Sequence, residues 1–158
     1  MNSKEKKLEA FGRLLDIMDE LREKCPWDRE QSFDSLRNLT IEETYELADA
    51  ILEKDIAGIR KELGDLLLHL VFYAKIGSES GSFDISDVCN SLIEKLIFRH
   101  PHVFGDIKVK DSQNVIENWE DLKIREGNKT VLGGVPKSLP AMIKANRIQD
   151  KAMAVGFD

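Results

Sequence analysis

Two short acidic runs carry the clearest chemistry in this sequence: Glu42-Glu43-x-x-Glu46 and, sixteen residues on, Glu62-x-x-Asp65. On a helix, residues three or four apart share a face. Glu43 therefore points with Glu46, and Glu62 with Asp65. Two antiparallel helices joined by a short turn would bring the pairs into one cluster, with Glu42 beside it. Such a cluster is unfavourable alone, because like charges repel and burial makes the repulsion worse. A hard divalent cation relieves it. Mg²⁺ takes oxygen ligands, keeps several waters and bridges carboxylates to substrate phosphates. It also neutralises charge on a transferring phosphoryl group and lowers the pKa of an attacking water. The residues thus suit Mg²⁺-assisted phosphoryl chemistry, with Mn²⁺ as a substitute ion.

The residues around the second pair sharpen this reading. At about 100° per residue, Gly58, Glu62, Asp65, His69 and Tyr73 fall on one narrow stripe of a helix that is otherwise largely apolar. A polar stripe of this kind must face water, a cavity or a buried network. Each member also has an ordinary reading. Glu43 suits a capping box with Thr40. Glu42 and Glu46 suit a solvated face, as do Asp49 and Glu53. Glu62 can pair with Lys61 or Arg60. His69 reads as a hydrogen-bonded core histidine and Tyr73 as core. Only the conjunction of acids on adjacent helices favours a metal site.

Basic and aromatic candidates lie further along. Lys95 and Arg99 stand four apart at the end of a predicted helix. There they can complement the helix dipole or clamp a phosphate. Trp119 and Lys123 form a similar pair, in which Trp119 could stack on a base but also fits an apolar stripe. Trp27, after Pro26, could anchor a loop or cover a base. No GxxxxGK[ST] loop and no EF-hand ligand pattern occurs.

The elements that must position these residues read as helices throughout. Leu8, Phe11, Leu14, Leu15, Met18 and Leu21 predict a helix over 5–24, ended by Cys25-Pro26. Residues 29–38 read as loop or short turns. A second helix is predicted from Thr40 as N-cap to about Glu53, and a third, capped by Asp55, over 56–77. From Leu66 to Ile76 this third helix is apolar on most sides, which suits the centre of a bundle or a subunit interface. Further helices are predicted from Asp84 or Ser86 to Pro101, over 112–126, and over 138–154 with Pro140 in the first turn. No segment alternates as a strand does, so the fold class is an all-α bundle.

Composition limits the alternatives. Hydrophobic residues make up 42% of the 158, enough for a core. The net charge of −6 argues against a general nucleic-acid surface, while bound Mg²⁺ keeps a nucleotide open as substrate. Cys25 and Cys89 form no CxxC pattern and read as reduced thiols. No apolar run is long enough to cross a bilayer, and no secretory apolar core follows the lysine-rich start. A cytoplasmic protein with no membrane partner is expected.

The acid pattern, with Cys25-Pro26-Trp27-Asp28, Arg99-His100-Pro101-His102-Val103-Phe104 and Gly134-Val135-Pro136-Lys137-Ser138-Leu139-Pro140, resembles the MazG family over essentially the whole chain. That resemblance implies a MazG-like helical bundle assembled as an intertwined homodimer. It implies Mg²⁺-dependent hydrolysis of nucleoside triphosphates (NTP or dNTP) to monophosphate and pyrophosphate, a house-cleaning of the nucleotide pool. It makes Glu43, Glu46, Glu62 and Asp65 the metal ligands and Glu42 an adjacent acid for a second metal or the attacking water. Lys95 and Arg99 would contact phosphates, and Trp119 and Lys123 would complete the nucleotide pocket. Such proteins commonly carry two such domains. Residues 1–127 are then the pyrophosphohydrolase domain, and 128–158 a linker with the start of a second, truncated repeat. The alternative is a non-catalytic half that dimerises and binds nucleotide or a regulatory partner. A third reading keeps the superfamily and changes the substrate to dUTP or phosphoribosyl-ATP.

Overall fold

The computed structural model describes residues 1–107, 115, 122, 130–154, 156 and 157. Every regular element among them is helical: α1 Lys4–Lys24, α2 Pro26–Glu30, α3 Phe33–Leu52, α4 Ile56–Glu79, α5 Ile85–Arg99, α6 Pro101–Phe104 and α7 Ala141–Met153. The all-α expectation holds. The chain divides into two compact units, residues 1–91 and 92–158.

The first unit is built on α1, α3 and α4. Its sealed centre is Met18 from α1, Leu36 from α3, and Val71 and Phe72 from α4. Phe11, Leu14, Leu15, Leu39, Leu68, Tyr73 and Ile76 pack around them. Full burial of each such side chain stabilises by roughly 1.5–3 kcal/mol. The apolar stripe that predicted α1 is thus the face turned to the core. Arg22, near the end of α1, ties three elements together. Its guanidinium donates to both oxygens of Glu79 on α4, at 2.8 and 2.5 Å, and to the carbonyls of Asp28 and Gln31 around α2. It also lies 5.5 Å from the centre of the Phe72 ring, a cation–π distance.

The start of α3 corrects the expectation for residues 29–38 and for Thr40. Pro26 begins the short α2, where its missing N–H costs nothing. Ser32 then caps α3: the Ser35 amide donates to Ser32 Oγ at 3.2 Å, and the Ser32 amide donates to Ser35 Oγ at 2.9 Å. This is a capping box with serine at both ends. Burial of Leu36, one turn on, anchors the added length. Thr40 therefore lies inside α3, and Glu43 is not its capping partner.

The α3–α4 connection is short. The Asp55 amide donates to the Ala50 carbonyl at 3.0 Å and the Lys54 amide to Ile51 at 3.1 Å, which makes a Schellman closure. Lys54 takes the left-handed position with φ of 57°. Asp55 then caps α4 as expected, accepting from the Ala57 amide at 3.0 Å. A side chain at Gly58 would come within 2.6 Å of the Asp55 carboxylate, so the cap folds back where only glycine leaves room. One side of α4 faces the core, while Leu63, Leu67 and Leu70, spaced along another side, are exposed.

Asp84 opens α5, accepting from the amides of Ser86 and Asp87 at 2.7 and 3.1 Å. In the second unit, Lys151 of α7 is buried and donates to the Val131 carbonyl at 3.0 Å. Pro140 stands just before α7 rather than inside its first turn. Most of the helix predicted over 112–126 lies outside the described residues; Val115 and Leu122 are helical.

Candidate active site

The turn at 53–55 sends α4 back along α3, so the acids of the two helices meet in reverse order. Glu43 on α3 and Glu62 and Asp65 on α4 each offer a carboxylate oxygen, and the three oxygens lie within 4.8 Å of one another. Glu62 is buried, while Glu43 and Asp65 are half-buried. Glu46, one turn beyond Glu43, is exposed, and one of its oxygens lies 4.0 Å from the Lys61 ammonium.

Lys61 is the cation that this cluster gathers from its own chain. Its ammonium donates to Glu62 Oε1 and Oε2 at 3.0 and 3.1 Å, and lies 3.4 Å from Asp65 Oδ2. The hydrogen bond to Glu62 is the main cause of the upward shift of the Lys61 pKa. The Glu43 carboxyl is also raised above its ordinary value. Burial is the first cause, and the negative charges of Glu46, Asp65 and Glu62 add to it. The pocket thus holds more negative charge than its own lysine relieves. The converging oxygens of Glu43, Glu62 and Asp65, with this excess of charge, are a donor set that fits a hard divalent cation.

Beyond the acids, the α3–α4 seam turns neutral. Thr40 Oγ1 lies 2.9 Å from His69 Nδ1 and 2.7 Å from the Tyr73 hydroxyl, and donates to the Leu36 carbonyl at 3.0 Å. Phe33 stacks on Tyr73 with ring centres 5.8 Å apart. His69 is thus a buried, hydrogen-bonded histidine, as expected, and the stripe from Glu62 to Tyr73 does line one seam.

The other sequence candidates fall as follows. Glu42 is exposed, as is Asp49. Lys95 is exposed and Arg99 half-buried, both in the second unit. Trp119 and Lys123 lie outside the described residues. Trp27 is exposed, in α2, where Arg22 holds the carbonyls of Asp28 and of the C-cap Gln31. Sequence reasoning set Lys61 aside as an ordinary surface partner of Glu62. Its i, i+4 relation to Asp65 was the signal that it joins the site.

Residues 31–104 match the family described as the MazG nucleotide pyrophosphohydrolase domain. Residues 31–104 are a MazG domain. Glu42, Glu43, Glu46, Lys61, Glu62, Asp65, Lys95 and Arg99 all lie inside it. The chain is 45% identical, over 96% of its length, to the nucleoside triphosphate pyrophosphohydrolase of Escherichia coli (strain K12). It is 46% identical, over 94% of its length, to the nucleoside triphosphate pyrophosphohydrolase/pyrophosphatase MazG of Thermotoga maritima. It spans 60% and 58% of the length of those two relatives. Among solved structures, the mazG-related protein from Thermotoga maritima aligns with 72% of this chain and 98% of its own, with a TM-score of 0.62 and 26% identity. No described helix is long and apolar enough to cross a membrane.

Proposed function

We propose that this chain is a cytoplasmic, Mg²⁺-dependent nucleoside triphosphate pyrophosphohydrolase, converting NTPs or dNTPs to monophosphate and pyrophosphate. The observation that carries the reading is the convergence of Glu43, Glu62 and Asp65 to within 4.8 Å on one helix hairpin of the MazG domain. These three, with Glu46 beside them, would hold the ion. When bound, Mg²⁺ would offset phosphate charge and make a water more acidic.

The chain's own groups have separable tasks. The clustered carboxylates exclude a bare triphosphate, so substrate enters only with its charge compensated. Glu42, one turn before Glu46 on α3, is the acid available for a second metal or the attacking water. Lys61 can turn from the carboxylates to the incoming phosphates, since its side chain is 65% exposed. By the family resemblance, Lys95 and Arg99 would be further phosphate contacts, and Trp119 and Lys123 would complete the nucleotide pocket.

A pyrophosphate-release assay across the common NTPs and dNTPs, with and without Mg²⁺, tests the assignment. Release by the wild type, lost in Asp65→Ala, is expected. Release of orthophosphate instead would refute it. The chain spans only part of its relatives' length, so a binding-only half is the second reading. Nucleotide binding by calorimetry without turnover would favour that alternative.

The homodimer is part of the same proposal. Leu63, Leu67 and Leu70 recur at i, i+4 and i+7 on α4 and are 53%, 37% and 56% exposed in the single chain. Such a row calls for cover, and a second copy is the occupant that the long, largely apolar α4 suits. Light scattering should give twice the chain mass, and Leu67→Glu should give the single mass. A monomeric wild type would reject the dimer.

A further inference from the structure

The hydrogen bonds around Thr40 favour one position for the proton of His69. A threonine hydroxyl has one hydrogen. Thr40 gives it to the Leu36 carbonyl at 3.0 Å, a group that only accepts. With the hydrogen there, its oxygen accepts from both neighbours, the Tyr73 hydroxyl at 2.7 Å and His69 Nδ1 at 2.9 Å. In that arrangement Nδ1 carries the ring hydrogen, and in the neutral ring Nε2 carries a lone pair.

That lone pair has no hydrogen-bond partner among the described residues. His69 is only 7% exposed, and no sealed side-chain polar atom among the described residues lacks a partner, so Nε2 is a part of the ring that water reaches. His69 follows Asp65 by one turn of α4, and its partner Thr40 precedes Glu43 by one turn of α3, so the ring lies beside the acids along the seam. An acceptor at the rim of a pocket whose other groups are anionic is suited to orient a water rather than to bind phosphate.

We propose that Thr40 is a positioning residue that holds His69 in its Nδ1–H form, so that Nε2 accepts a hydrogen bond from the attacking water at the edge of the Glu43–Glu62–Asp65 pocket. This rests on the hydrolase reading above. Thr40 acts only through His69, and Tyr73 is the second strut of the arrangement.

The test pairs nitrogen NMR of histidine-labelled protein, without metal or nucleotide, with steady-state kinetics. His69→Gln assigns the His69 signals among the three histidines. The wild-type ring should show a protonated Nδ1 and an unprotonated Nε2. Thr40→Val should lose that fixed pattern and lower kcat by about tenfold or more, with KM changed less than about twofold, the scale seen for groups that orient a site's inner residues. Thr40→Ser keeps the hydroxyl and should restore both. A wild-type ring protonated on Nε2 would overturn the proposal, as would Thr40→Val with pattern and kcat unchanged. Should the valine variant not fold, the wild-type spectrum and Thr40→Ser decide. A correct ring form in a protein that releases no pyrophosphate would instead refute the hydrolase reading, and the water-orienting role with it.

Discussion

Lys61 is the residue that would set the terms on which the proposed metal binds. Its ammonium lies among Glu46, Glu62 and Asp65, so under the proposed function an incoming divalent cation would have to displace it. The contact is exposed and worth little by itself. Replacing the lysine by methionine should tighten Mg²⁺ binding by about two- to fivefold, the scale of one exposed ion pair. Calorimetric titration of the nucleotide-free protein reads this directly, and weaker binding would show that Lys61 supports the ion. At this scale the acids were legible in the sequence, because three- and four-residue spacing puts groups on one face wherever the helix begins. The Thr40 network was not. With the helix start set at Thr40, its hydroxyl was assigned to capping and could not be aimed at His69.

The elements were legible in proportion to their apolar stripes. The predictions for α1 and α4 match the structure closely because Phe11, Leu14, Met18, Val71 and Phe72 repeat at helical spacing and turn to the core. The start of α3 was missed because Ser32, Ser35 and Asn38 favour turns, and what offsets this is tertiary: Leu36 is sealed against α1 and α4. The α3–α4 turn is where an element could be improved. Lys54 holds φ of 57° at a position glycine takes without strain. Lys54→Gly should stabilise the protein by about 1 kcal/mol, measured by urea unfolding with an unchanged slope. A loss of stability would mean that the lysine side chain contributes there in some other way.

For the molecule as a whole, the relevant question is what keeps the α3–α4 hairpin seated on α1. The core of Met18, Leu36, Val71 and Phe72 does most of this, and Arg22 adds a tie to α4 that its partner Glu79 makes pH-dependent. Hydrogen bonding from Arg22, followed by the charges of Arg22 and Lys75, holds the Glu79 carboxyl below the usual carboxylate range. A depressed folded-state pKa contributes stability that is present above the unfolded value and lost as pH falls through the folded one. Thermal unfolding midpoints of the wild type should therefore fall from about pH 5 towards pH 3. Glu79→Gln should be less stable near neutrality and lose less over that interval. Parallel curves for the two proteins would remove Glu79 from the acid limb. The glutamate is partly exposed, so the difference should be small.

Phosphorus NMR of one nucleoside triphosphate turned over by the purified chain with Mg²⁺ reads the bond that breaks. Monophosphate and pyrophosphate appearing together in equal amounts, and neither appearing with Asp65→Ala, is the expected result. Diphosphate with orthophosphate, or turnover that survives the loss of Asp65, would contradict a catalytic centre built on the three converging carboxylates.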